Sequence, residues 1–524
     1  MSDGGADGGV RPLQFALPVC PQANQAPIPN GMPPANNVAQ VECTTVGADE
    51  TTVTTGEWPD TAGLSAPILY VRAGAPGTGD GTMAMPFGTI DAALAAMPRA
   101  NSIVLSRGVH TLANGLALTA SVTLKGVGAA GSGTRIIPPA ASIAIHVSGA
   151  GTMVRVAGVS LQFSGSSGGD RSMERGFLAD TSGTLQLDHV VVENAFTGIE
   201  SSAATLVVND TTVRGAQRYG VFVGPETVAT LGRIHVAGGM LYGIVARNSH
   251  VEVRSGYVHD NVRDGIAILG NRGMPSVVQN VASHRNGVTA MRVENGGSVM
   301  IERVSLGGTV VPAGTVGGDG LFVGPGSTGI LDPSSMGMRG AASQLVNNYR
   351  TGILVDGLGA SISATGPLLA SNTGPGVFVQ QHAVLQSLGR ASILDNSSLG
   401  IGISSNGSAV SILDNSSRGT RVAALQTLSG SYMVGDGISI AEAPGAARAM
   451  VANNEIADNE RFGVVVTGSN VQFMGNTGTG NRFGIGAYGS DTGASDLTQV
   501  GGIETAPTAP PQTARGAVDL TRQM

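Results

Sequence analysis

Thr197-Gly198-Ile199-Glu200, Tyr219-Gly220-Val221-Phe222, Tyr242-Gly243-Ile244-Val245 and Asp264-Gly265-Ile266-Ala267 share one design, a glycine followed by an aliphatic residue, and recur at intervals of 22, 23 and 22 residues. Working outward, the same step stands upstream at Gly176 and downstream at Gly287, Gly320, Gly352, Gly376, Gly400, Gly437, Gly463 and Gly484. The residue that follows is Ile, Val or Leu at each of these except Gly176, where it is Phe177. A period of this length, sustained over most of the chain, belongs to stacked units that each contact only their neighbours. The expected fold is all-β: a right-handed parallel β-helix, a single-stranded solenoid in which each repeat is one coil.

Two residues beyond the aliphatic position the chain is again small or aliphatic, as in Val223, Ile268, Val323, Val355, Val379, Ile403, Ile440 and Val466. Strand periodicity turns both positions inward and the one between them outward. Coils stacked about 4.8 Å apart would then align these side chains in continuous ladders. The longer intervals, 287 to 320, 320 to 352 and 400 to 437, read as coils that carry loop insertions. The glycine itself reads as the residue that marks the turn. Asn194, Asn261, Asn348, Asn372, Asn396 and Asn459 each stand four residues before a repeat glycine. Stacked at one corner, their amides can hydrogen-bond along the array.

The array opens with Tyr70-Val71, the loop from Gly77 to Thr82, Pro86-Phe87-Gly88-Thr89-Ile90 and a short Ala-rich helix from Asp91 to Met97. Ile103-Val104-Leu105, Gly108 and Val122-Thr123-Leu124-Lys125-Gly126 follow. This segment resembles the DUF1565-type N-terminal part of pectin-lyase-like β-helix proteins. The resemblance implies that the helix caps the open end of the first coil and hides a sheet edge. The expected organisation is a Pro/Gly/Thr-rich leader over 1–66, the β-helix over 67–500 and a flexible tail over 501–524.

Glycine supplies 80 residues and charged residues only 12%, and the net charge of -7 comes with 28 Arg and a single Lys, Lys125. That balance gives no electrostatic case for nucleic acid. No stretch of about 18 apolar residues provides a membrane span, and residues 1–15 lack the charged-then-apolar order of a signal peptide. Ser2 to Gly9 is similar to the spacer that follows the lipidated cysteine of bacterial surface lipoproteins, which leaves a lipid anchor open. Cys20 and Cys43, the only cysteines, are expected to form a disulfide worth about 3 kcal/mol. An oxidising compartment follows, extracellular or at a bacterial cell surface.

Pectin-lyase-like proteins carry function on an outer face, and two outward stripes stand out here. One lies two residues before the glycine: Arg218, Arg263, Arg285, Arg350, Arg461 and Arg482. Guanidinium groups suit carboxylate or sulfate ligands, or pair with nearby acids such as Asp260 and Asp458. The other lies two residues after it and includes Phe222, Phe322 and Phe378. These rings can stack on sugars, or lie under the insertions near 308–319 and 324–347.

For catalysis, Tyr219, Tyr242, His259, Asp260, Arg263 and Asp264 lie in the stretch richest in ionisable groups, 189–303. A uronate lyase requires a base and a cation to neutralise the carboxylate. A hydrolase requires paired carboxylates, and Asp188/Glu193 and Asp260/Asp264 are the close acidic pairs. Against one site, His189, His235, His259 and His284 fall nine, eight, six and three residues before their glycines, a spread expected to scatter them round the coil. The short catalytic motifs of polygalacturonases and pectate lyases are absent. No cofactor or metal is expected: Asp80 offers one carboxylate where Ca²⁺ takes six to eight oxygens.

The expectation is a secreted or surface-anchored β-helix that binds polysaccharide or cell-surface glycan, or serves as an adhesive or structural rod. The alternative is a polysaccharide lyase or glycoside hydrolase acting on an acidic polysaccharide. An oligomeric stalk, with the apolar stripe as its interface, is a third reading.

Overall fold

A computed structural model describes residues 15–502, apart from 37, 52–55, 77, 97–100, 165–170, 240, 312–316, 334–338, 405–409, 428–429, 442–448, 468–470, 489–491 and 494–499. The spacer-like Ser2 to Gly9, Gly77, Met97 and the tail from 503 onward fall outside these residues.

The chain forms a right-handed parallel β-helix in which strand pairing is parallel from Ile68–Val71 to Thr492–Gly493. A representative coil has three strands. The first is Tyr219–Val223, and the second and third are the two halves of Val228–Ala237, bent at Arg233 (φ 45°). Stacking the coils therefore makes three sheets. In the first, Val221 pairs with Ile199 of the preceding coil and Ile244 of the next. The inward row continues through Ile266, Met291, Leu321, Ile353, Val377, Ile401, Ile438 and Val464, all buried in one continuous core.

Met291 in that row corrects the phase of one coil, since the glycine step placed Val288 there. Ile266 pairs with Met291 because Arg272, Gly273 and Met274 lengthen the loop between the first and second strands. The residue equivalent to Gly265 is accordingly Ala290, and Gly287 lies three residues too early. Arg285 thus leaves the stripe that contains Arg263 and moves to the row of Asp260.

The repeat glycines are needed for a reason other than the turn. They have ordinary φ, and a Cβ on Gly198, Gly220, Gly352 or Gly376 would lie 2.6–2.7 Å from the carbonyl oxygen of the corresponding glycine in the next coil. The row is glycine in most coils, and where it departs, at Ala144 and Ala290, the side chain is no larger than a methyl group. Turns are made instead by single left-handed residues such as Asp260 (φ 57°), Ser371 (φ 52°) and Asp395 (φ 51°), short polar types that tolerate this region.

Asparagine follows these residues and forms the expected ladder. Asn348 donates from N and Nδ2 to Oδ1 of Asn372 at 3.0 Å each, and Asn372 does the same to Asn396 at 3.1 and 2.9 Å. Asn261 donates likewise to Asn286, and Asn459 to Asn481. Asn194 is outside the ladder: it is itself a left-handed residue (φ 58°), in register with Gly215. A second ladder, Asn415 to Asn454 to Asn476, runs along another corner.

The helix spans Ile90–Ala95 and is capped by Thr89 Oγ1, which accepts from Ala92 N at 3.1 Å. Ile90 and Ala93 join the core beside Val71 and Ile103 of the first coils. The leader, in contrast, folds back as a strap over the outer face of the third sheet. Its strands Gln25–Pro29 and Val41–Thr45 pair antiparallel, and the Cys20–Cys43 disulfide joins them. Glu50 receives two hydrogen bonds from Arg214 at 2.8 Å, Arg303 reaches Glu42 at 2.8 Å, and Phe15 N donates to Ser371 Oγ at 3.1 Å.

Gly376→Ala tests the close approach, because its Cβ would meet Gly400 O at 2.7 Å and Ile393 Cγ2 at 2.8 Å. The expected loss is about 1–3 kcal/mol of unfolding free energy. Gly131→Ala, with nothing within 4 Å of its Cβ, should change the unfolding free energy by less than about 0.5 kcal/mol. Equal effects would contradict the stacking role.

Candidate functional site

The outward residues of the first sheet begin as an aromatic shelf. Tyr219 stacks on Phe222 (centroids 5.0 Å) and, across coils, on Tyr242 (5.6 Å). The exposed Arg218 lies 4.8 Å over the Tyr219 ring and the exposed Arg263 5.2 Å over Tyr242. The shelf ends at Asp264, which is buried and bonded to Arg292 at 3.1 Å. Burial raises the Asp264 carboxyl above its ordinary range, while Arg292 and Arg263 oppose this. Arg292 in turn covers the Phe322 ring at 4.9 Å.

Farther along, Leu354, Phe378, Phe462 and Val465 are buried in a cluster with Leu425 and Val434. The latter two belong to an antiparallel hairpin, Ala423–Thr427 and Gly430–Val434, inserted in the long coil after Gly400. This hairpin packs in one cluster with Phe378, which corrects the assignment of that ring as a ligand platform, and it buries Leu354 and Val465 of the apolar row while Phe222 and Phe322 stay partly exposed. The arginines of the stripe also divide. Arg350 binds buried Asp319, with one bond at 2.8 Å, and Arg461 binds fully buried Asp436 at 2.6 Å. These two are structural, whereas Arg218 and Arg263 remain on the surface.

Three of the four histidines, His235, His259 and His284, do not scatter, whereas His189 stands apart. His259 and His284 are in register on the third sheet, and His235 is in register with Tyr257. Positions eight and six residues before the glycine share one strand face because strand side chains repeat every two residues. His235 Nε2 lies 2.9 Å from His259 Nε2, His259 Nδ1 2.5 Å from Asp260 Oδ2, and Arg285 donates to both Asp260 oxygens at 2.8 Å. Arg285 also reaches Tyr257 Oη at 3.3 Å. His259 and Asp260 thus belong to a real cluster, separate from Tyr219, Tyr242, Arg263 and Asp264 on the first sheet. The strap covers it: Ala26, Ile28 and Val46 pack with Tyr257 and Ala282. The two acidic pairs are likewise occupied, Glu193 by Arg214 and Asp260 by Arg285.

An open cleft of about 380 Å³ lies elsewhere, between the end of the strap and the second sheet. Lys125, Ala157 and Asp188 stand in register on successive coils. The small residues Gly126, Gly128, Ala157 and Gly158 form its floor, and Asp49, Pro59 and Asp60 its strap side. Asp188 Oδ2 accepts from Arg155 at 2.9 Å, and Asp188 Oδ1 lies 2.9 Å from His189 Nδ1. Burial pushes the Asp188 carboxyl up, but hydrogen bonds and charge from His189 and Arg155 outweigh it and hold the group below its ordinary range. An ionised Asp188 orients His189 with Nδ1–H toward it, leaving Nε2 as the free basic nitrogen. Lys125, half-buried, has no hydrogen bond or ion pair among the described residues. Its being the only lysine was the signal in the sequence; its alignment with Asp188 required the register.

Among the described residues, one group brings three metal-ligating side chains within 4.8 Å of one another: Asp188, His189 and Asp210. Arg155 already neutralises Asp188, and Arg233 binds Asp210 through both oxygens. The group is self-compensated. Asp80 closes its own turn by accepting from Thr82 N at 2.9 Å.

These features define a parallel β-helix protein with a strapped outer face. No family model matches the sequence, and no curated protein does. Solved structures align with the chain at low similarity. The A-module of an Azotobacter vinelandii mannuronan C-5 epimerase aligns at 14% identity and TM-score 0.38, over 78% of this chain and 94% of its own. Pectate lyase Pel9A aligns at 15% and 0.33, over 64% and 81%. The catalytic domain of a GH87 α-1,3-glucanase aligns at 12% and 0.32, over 85% and 70%.

The division of the arginine stripe can be measured. Arg461→Ala leaves Asp436 buried without its partner and should cost about 3–5 kcal/mol. Arg263→Ala should stay within about 0.5 kcal/mol in the same denaturation experiment. Similar losses would contradict the assignment.

Proposed function

We propose that this protein is a glycan-binding β-helix of the extracellular space or a bacterial cell surface, and that the Lys125 cleft receives a sugar unit bearing a carboxylate. The observation that carries the reading is the unpartnered cation of Lys125 facing the same cleft as the Asp188–His189 pair. A partly buried ammonium gains most from an anionic partner. Asp49, Asp60 and His189 offer hydrogen-bonding groups for hydroxyls, as sugar-sized sites require. The disulfide supports an oxidising compartment.

The shelf of Tyr219, Phe222 and Tyr242 serves as a second, sugar-stacking platform, with Arg218 and Arg263 at its edge. A lyase reading draws on the Asp188–His189 pair, which has the arrangement of an oriented general base.

Calorimetric titration with uronate oligosaccharides and their neutral counterparts tests the reading. Lys125→Ala should weaken uronate binding about 10–100-fold, the loss of one charge-assisted hydrogen bond. Neutral sugars should bind more weakly and be insensitive to the change. Unchanged uronate affinity in Lys125→Ala would overturn the cleft as the site. Appearance of ultraviolet absorbance from unsaturated uronate, abolished in His189→Ala, would assign the lyase reading.

A further inference from the structure

We propose that the strap formed by residues 15–50 is an acid-released cover, undocked from the third sheet when the histidines beneath it take up protons. The inference is independent of the glycan reading.

The geometry gives the cluster no room for a second charge. His259 Nδ1 faces the Asp260 carboxylate and carries a proton, so His259 Nε2 accepts and His235 Nε2 donates across 2.9 Å. A proton added to His259 Nε2 would set two N–H groups against each other. His284 is fully buried, with Nε2 on Ser305 Oγ at 2.8 Å and Nδ1 without a partner. The charged and titratable groups around the rings are Arg214, Tyr257, Asp260 and Arg285, all from the coils. From the strap come Ala26, Ile28 and Val46 over Tyr257, and Gly47 against His235, none of them charged. The strap's own acids are Glu42, Asp49 and Glu50: Glu42 and Glu50 are engaged by Arg303 and Arg214, and Asp49 accepts from Thr51 N at 2.8 Å. A newly charged ring gains by fuller contact with water, which the strap restricts over Tyr257 and His235.

Burial, helped by His259 and Arg214, lowers the His235 pKa to about 4, and burial with Arg285 and His259 lowers that of His284 to about 3. Both are depressed in the docked state relative to an ordinary imidazole near 6.5. Docking is therefore at full strength above about pH 6.5 and weakens as pH falls, by about tenfold per pH unit for each histidine until its docked pKa is reached. Between about pH 7 and pH 4.5 His235 alone should shift the docked-to-undocked ratio by at most about 60-fold, the limit set by full recovery of an ordinary imidazole on undocking. The Cys20–Cys43 bridge keeps the hairpin closed, so the strap leaves as a unit.

Hydrogen exchange, corrected for intrinsic rates, tests this on the full chain. Peptides from 25–29 and 41–48 should lose at least tenfold protection between about pH 7 and pH 4.5, while peptides from 219–223 and 377–380 hold theirs. His235→Gln with His259→Gln and His284→Gln should retain strap protection at the lower pH; Glu42→Gln with Glu50→Gln should still show the loss. Unchanged wild-type protection, or a loss abolished by the glutamate variants and not by the histidine variants, overturns the proposal. If the histidine variant fails to fold, NMR titration of ¹³C-labelled wild-type histidines decides. Ring titration must coincide with strap release, and separate midpoints overturn it.

Discussion

Each coil must approach the next at strand spacing, about 4.8 Å, along its whole circumference, and the rest of the molecule follows from that constraint. At the start of the first strand the approach is so close that the next coil's carbonyl occupies the space of a Cβ. Glycine is favoured there by contact and not by dihedral angle, and the coils that depart from it carry alanine, as at Ala290. At the corners, backbone amides turn inward where no strand can meet them, and asparagine supplies an acceptor and donor that repeat with the coil. Between corners the aliphatic rows fill the interior. Side chains that repeat inward settle the fold, and those that repeat outward are free to differ.

The inward repeat was legible because one residue type at one interval carries both phase and face. The β-helix, its aliphatic row, the capping helix and the disulfide all rest on short patterns of this kind. Phase failed where a loop changed the coil length without disturbing the motif: three extra residues before Ser276 moved the repeat from Gly287 to Ala290. That slip set Arg285 beside Arg263 and separated His284 from His259, although the latter two are in register. Ile266 to Met291 is the pairing that restores them.

What covers the outer faces was less legible, because the covering segments come from outside the coil. Phe378 shares a cluster with Leu425 and Val434, and Tyr257 with Ala26, Ile28 and Val46. Nothing local to either ring distinguishes an exposed sugar platform from a packed interface. The cleft was hidden for a related reason. Lys125 and Asp188 are 63 positions apart in the sequence, and only the register through Ala157 places them on one row. Each outer face thus differs in kind: the first carries aromatic rings and a hairpin, the second an open polar cleft, and the third a strap over buried histidines.

The assignment of the cleft is tested most directly by a crystal structure of the protein soaked with a uronate oligosaccharide. A carboxylate should lie within hydrogen-bond distance, about 3 Å, of Lys125 Nζ, with a hydroxyl on His189 Nε2. Density for the sugar along Tyr219 and Tyr242 with an empty Lys125 cleft would contradict it.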